Sequence, residues 1–135
     1  MGRKPAAAAG VGWHRARTLA ESFRFAWQGF SAALRTQRNL RIHVAAGVLA
    51  VATAWALHLP WVQVALVTLA AAAVIGAELF NSALEGLVDL VEARQHPGAR
   101  QVKDLAAAAV LVAAVGALLV GGVLFLPPLL RLLGR

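Results

Sequence analysis

No charged side chain occurs in the 36 residues between Arg41 and Glu78, a run broken only by Leu59-Pro60-Trp61. An apolar run of this length predicts two helices, residues 42–59 and from 61 onward, joined by a tight turn, each close to the ~20 residues that cross hydrocarbon. A third charge-free run covers 22 residues, 105–126, with Pro127-Pro128 expected to close it. Beyond residue 77 the second helix continues as an acidic but still helical pattern, so the three spans are placed at about 42–59, 61–93 and 103–126. Upstream, Trp13, Leu19, Phe23, Ala26, Trp27, Phe30 and Leu34 recur at spacings of mostly three or four, with Arg15, Arg17, Glu21, Arg24, Gln28 and Arg35 largely on other faces. That is an amphipathic helix, lying in the membrane interface or packed on the ends of the spans, two compatible readings. Residues 1–12 read as a mobile tail, leaving 13–135 as one membrane-embedded domain.

Composition narrows the class. Hydrophobic residues make up 60% and charged residues 14% of the chain, against roughly 45–50% and 25% in soluble domains. A soluble domain, a disordered chain and a coiled coil are excluded, and an all-α membrane protein remains. With no Cys there is no disulfide framework, thiolate zinc site or cysteine nucleophile. The net charge of +7 on so apolar a chain points to anionic lipid rather than nucleic acid. Eleven of the 13 Lys and Arg precede the first span or lie between the second and third, and two, Arg131 and Arg135, follow the third. The positive-inside rule then predicts a cytoplasmic N-terminus and an external C-terminus. Runs of Ala and Gly within the spans allow close helix approach and favour a homo-oligomer.

Five of the six carboxylates fall in residues 78–104. At about 100° per residue, Glu78, Asn81, Ser82, Glu85, Asp89 and Glu92 share an arc of roughly 100° on one helix face. Glu78 lies 17 residues after Trp61, about 25 Å of helix, just inside the hydrocarbon. A carboxylate there faces protein or a water-filled cavity. Oxygen ligands repeated at one depth suit Mg²⁺, while pairing with neighbouring Arg is the structural alternative, favoured for Glu92 beside Arg94. The following segment, Arg94 to Asp104, reads as a loop that sets cations beside the acidic face, as a nucleotide polyphosphate requires. Neither GxxxxGK[ST] nor GxGxxG occurs, so any nucleotide site is of another kind. His58 abuts the external turn and reads as an interface residue. His43 reads either as a motif residue or as a pairing group at the membrane edge.

The stretch Glu78-Leu-Phe-Asn81-Ser-Ala-Leu-Glu85-Gly-Leu-Val-Asp89 resembles the E-x-x-N-[ST]-A-[IL]-E-x-x-V-D signature of the small prokaryotic lipid kinases, bacterial diacylglycerol kinase and its undecaprenol kinase branch. His96-Pro and Lys103-Asp104 resemble that family's second block. Ser22-Phe-Arg-Phe-Ala-Trp27-Gln-Gly29, Arg38-Asn-Leu-Arg-Ile-His43 and Phe125-Leu-Pro resemble the undecaprenol kinase branch. The resemblance covers roughly residues 20–128. It implies an interfacial helix, three transmembrane helices and a homotrimer in the bacterial inner membrane. It also implies Mg²⁺-dependent transfer of the ATP γ-phosphoryl group to a lipid hydroxyl, on undecaprenol or diacylglycerol. By the same resemblance Glu78 is the general base, Glu85 a metal ligand, and His96, Lys103 and Asp104 are nucleotide-binding. Asn81 and Asp89 support the site. Gln37 stands where the family usually has a metal-binding Glu. Two other classes fit parts of the chain: a weak or inactive membrane scaffold, on the strength of Gln37, and an ion-conducting oligomer lined by Glu78 and Glu85. Consumption of ATP on adding lipid alcohols separates the three.

Overall fold

The computed structural model describes residues 18–92 and 96–134. The expected tail, Trp13 and Arg94 lie outside them. Four helices follow in order: α1 Leu19–Thr36, α2 Arg38–Ala56, α3 Trp61–Val91 and α4 Pro97–Leu133. The last three are long and apolar enough to cross a membrane. At 1.5 Å per residue α3 and α4 run about 46 and 55 Å, well beyond a hydrocarbon core of ~30 Å, so their ends project from it.

Local chemistry sets the breaks. Thr18 caps α1 by accepting from the Glu21 N–H at 3.2 Å. Gln37 alone separates α1 from α2, with extended backbone that reverses the helical run (φ −98°, ψ 115°). The α2–α3 turn is a Schellman ending. His58 donates to the Trp55 carbonyl and Leu59 to the Ala54 carbonyl, both at 3.0 Å, and Leu59 packs back onto the cluster around Ala54. His58 takes the left-handed position (φ 52°) that glycine usually fills. Pro60 then opens α3.

Two expectations are corrected. Residues 97–104 are the first two turns of α4 rather than loop. Pro97 stands at the first helical position, where its missing N–H costs nothing, and His96 caps it. Pro127 and Pro128 do not close α4, which continues to Leu133. Proline's fixed φ is already helical, so the pair removes two backbone donors, those that would bond Val123 and Leu124, without reversing the chain. The helix of the first span runs from Arg38 to Ala56, its last turn being used by the cap.

The helices pack antiparallel in a continuous register. A Cβ placed on Gly47 would lie 3.1 Å from Ala71 Cβ, so a larger residue there would push α2 and α3 apart by a few tenths of an ångström. Toward the far end Ala54, Val64 and Val67 form the core, with Leu124 and Phe125 of α4 against it. Lys103 reaches Asp89 at 2.5 Å. Asp89 lies 22 residues beyond Val67, and Lys103 lies 22 before Phe125, so α3 and α4 stay in step throughout. No residue of α1 is buried; it lies against α2 and touches α3.

Candidate active site

One stripe of α3 faces the other helices: Val64, Val67, Val74, Glu78 and Asn81 are its buried residues. Its first part, Val64 to Val74, is apolar, and from Glu78 onward it carries oxygen. Glu78 is 3% and Asn81 7% exposed, so both are committed to the interior. Asn81 donates from Nδ2 to Glu85 Oε1 at 3.1 Å, which fixes the amide's orientation. Its Oδ1 is then left buried without a partner, as is Ser82 Oγ one residue on. Among the described residues no cation pairs with Glu78. Buried polar atoms are normally satisfied, so these two oxygens on one face are acceptors open to a further partner.

The α1–α2 corner sits at the same level. Ten residues back from Gly47 is Gln37, and ten residues on from Ala71 is Asn81. By the same count Leu40, fully buried, stands opposite Glu78. Gln37 is half-buried, and its side chain makes no capping bond to either helix. Arg41 donates to the Leu34 and Arg35 carbonyls, each at 3.1 Å, closing the corner by satisfying the end of α1. Neither Leu40 nor Arg41 stands out in the sequence as a site residue. Arg41 reads there as one more topogenic charge, and its spacing of seven from Leu34 is its only signal.

The start of α4 carries the remaining candidates. His96 Nδ1 accepts from the Gly98 N–H at 3.1 Å, leaving Nε2 for another partner. Lys103 pairs with Asp89 across α3 and α4, and Arg100 pairs with Asp104 at 3.6 Å within α4. Thus Glu78, Asn81 and Glu85 share one buried-to-half-buried stripe, and Gln37 joins their level by register. Asp89 and Lys103 meet at the exposed end of the stripe. His96 and Asp104 are exposed at the start of α4, with no hydrogen bond or ion pair to that stripe among the described residues.

The donors fit Mg²⁺ by chemistry, being all oxygen, with an amide oxygen already oriented and unpartnered. Among the described residues no three His, Asp or Glu converge as a cage. Mg²⁺ bound between one or two carboxylates and substrate phosphates does not need one. On the other side of Glu78, a groove of about 450 Å³ runs along α2, α3 and α4, lined by small and apolar residues including Gly47, Ala71, Val74, Ala117 and Leu118, with His43 among them. Val74 is one turn from Glu78 on the same stripe, so the groove ends near the buried carboxylate.

A family model described as prokaryotic diacylglycerol kinase matches residues 24–125. The chain is 48% identical over 122 residues to a diacylglycerol kinase of Synechocystis sp., covering 90% of this chain and 70% of that protein. It is 35% identical over 109 residues to an undecaprenol kinase of Bacillus subtilis, covering 81% of this chain and 89% of that one. The match spans α2 and α3 and all of α4 up to Phe125, and so includes the whole polar stripe. The chain belongs to the prokaryotic diacylglycerol kinase family, a family of membrane lipid kinases.

Proposed function

We propose that the protein transfers the γ-phosphoryl group of ATP, with Mg²⁺, to the hydroxyl of a membrane lipid, undecaprenol or diacylglycerol. The observation that carries this reading is the change of polarity along one buried stripe. An apolar groove that suits a lipid tail ends near an unpaired buried carboxylate, and oxygen donors continue from there toward the aqueous end. The lipid hydroxyl then lies at Glu78. As the oxygen attacks the γ-phosphorus, its proton moves to the Glu78 carboxylate, and the bond to the ADP oxygen breaks. Asn81 and Glu85, locked to each other, hold their oxygens toward the phosphates. Mg²⁺, when bound there and supported by Gln37, neutralises charge on the transferring phosphoryl group. Lys103 leaves Asp89 for the polyphosphate, His96 offers Nε2, and Asp104 restrains Arg100. Residues 13–135 act as one domain with α1 in the cytoplasmic interface, the N-terminus cytoplasmic, and three copies in the inner membrane of a bacterium.

The test supplies purified protein with ATP and either undecaprenol or diacylglycerol and follows the phosphorylated lipid. Turnover of either acceptor is expected; ATP left intact with both overturns the reading in favour of an inactive scaffold. The Gln37 position sharpens the metal assignment. Gln37→Glu should lower the Mg²⁺ concentration for half-maximal rate, because a carboxylate adds charge where the amide brings none. Coincident Mg²⁺ titrations would remove Gln37 from the metal.

A further inference from the structure

At the end of the bundle remote from Glu78, a second crevice of about 410 Å³ opens between the α2–α3 turn and the last turns of α4. Ala56, Leu57, His58, Pro128, Arg131 and Leu132 line it. Nothing in the kinase chemistry uses it, since Trp61, which opens α3 beside this turn, is 17 residues or about 25 Å of helix from Glu78. Its two polar side chains are both potential cations or donors, one from each side. Among the described residues no hydrogen bond or ion pair engages either of them. The six Asp and Glu side chains are Glu21, Glu78, Glu85, Asp89, Glu92 and Asp104, none of which lines the crevice. His58 is also the only non-glycine with positive φ among the described residues. Glycine would serve the Schellman turn with less strain, so the imidazole stands there against the backbone's preference.

The depth of the crevice identifies what it meets. Trp55 and Trp61 flank the turn and are both exposed, as aromatic residues at a membrane–water boundary are. Leu57, Pro128 and Leu132 supply an apolar wall beside these two side chains. We infer that this crevice binds a phosphate group carried by a phospholipid: Arg131 and His58 hold the phosphate oxygens while the glycerol and first methylenes lie on the apolar wall. The arrangement requires Pro127 and Pro128 not to end α4, because Arg131 reaches the turn only on a continued helix.

The experiment uses the full chain in detergent micelles, titrated with dioleoylphosphatidylglycerol or with millimolar inorganic phosphate. Native mass spectrometry counts retained lipid, and thermal unfolding reports protection. Wild type is expected to retain the lipid and to unfold at higher temperature with it. Arg131→Gln should weaken retention about fivefold, the effect of one cation at a membrane surface, and His58→Gly should weaken it several-fold. Both variants should keep wild-type lipid kinase activity, which confirms the fold, and His58→Gly suits the turn's backbone. Retention unchanged in both variants overturns the site. Loss in Arg131→Gln with none in His58→Gly overturns it too, since that pattern is diffuse charge attraction without a crevice. Protection by inorganic phosphate equal to that by the lipid overturns the lipid as source.

Discussion

The two halves of the buried face of α3 share one helix and nearly the same burial, yet their contents are opposite. Val64, Val67 and Val74 are 7%, 4% and 6% exposed, and Glu78 and Asn81 are 3% and 7%. The apolar half is covered by the Ala54 core and by the close approach at Gly47. By register the polar half lies at the level of the fully buried Leu40 and of the corner at Gln37. Burial therefore does not distinguish the halves; what does is that the polar half runs on to exposed, charged residues, the Asp89–Lys103 pair, and the apolar half does not. A carboxylate buried in the middle of the bilayer is a defect, and the same group buried at the edge, reachable from the aqueous side, is a place for chemistry.

Removing the charge from the polar half should have the largest effect. Glu78→Gln keeps the volume of a buried side chain, so assembly should persist while turnover falls about 10²–10⁴-fold, the usual contribution of a general base. A Glu78→Gln enzyme with wild-type rate in the lipid phosphorylation assay would discard the assignment and with it the functional meaning of the boundary. Moving a carboxylate one turn into the apolar half is the reverse experiment. Val74→Asp should destabilise the chain by about 3 kcal/mol, the insertion penalty of an acid near a helix centre, without restoring activity to Glu78→Gln. Thermal unfolding in detergent gives the comparison, and wild-type stability would show that hydrocarbon does not set the limit. The smallest change is expected where the polar stripe leaves the interior. Asp89→Asn breaks the Lys103 pair, but both partners are partly exposed, at 36% and 66%. Stability should fall by less than about 1 kcal/mol, whereas the KM for ATP should fall if Lys103 is released to the polyphosphate. A stability loss of several kcal/mol would mean the pair holds α3 to α4.

The architecture was legible because its causes are local and large. Thirty-six residues without a charge admit few structures in lipid other than helices, and the acidic period on α3 is written directly in the spacing of Glu78, Asn81, Glu85 and Asp89. The signature in that stretch also marked the family. Two local expectations failed where helix ends were concerned. The proline pair at 127–128 predicts a stop, although proline forbids only particular hydrogen bonds, and residues 97–104 read as loop, although Pro97 after a capping His96 is a helix start.

What the sequence determined by itself was which residues could share a face, because a helix fixes the angle between positions i and i+4 whatever surrounds it. Only the tertiary structure decided which of those faces was covered and by what. The register set at Gly47 and Ala71 brings Gln37 level with Asn81 and closes Leu40 over the level of Glu78, and the pairing of Lys103 with Asp89 sets α4 against the same stripe. Those contacts join residues tens of positions apart. Their partners are chosen by close packing between helices, which no periodicity within a single helix contains.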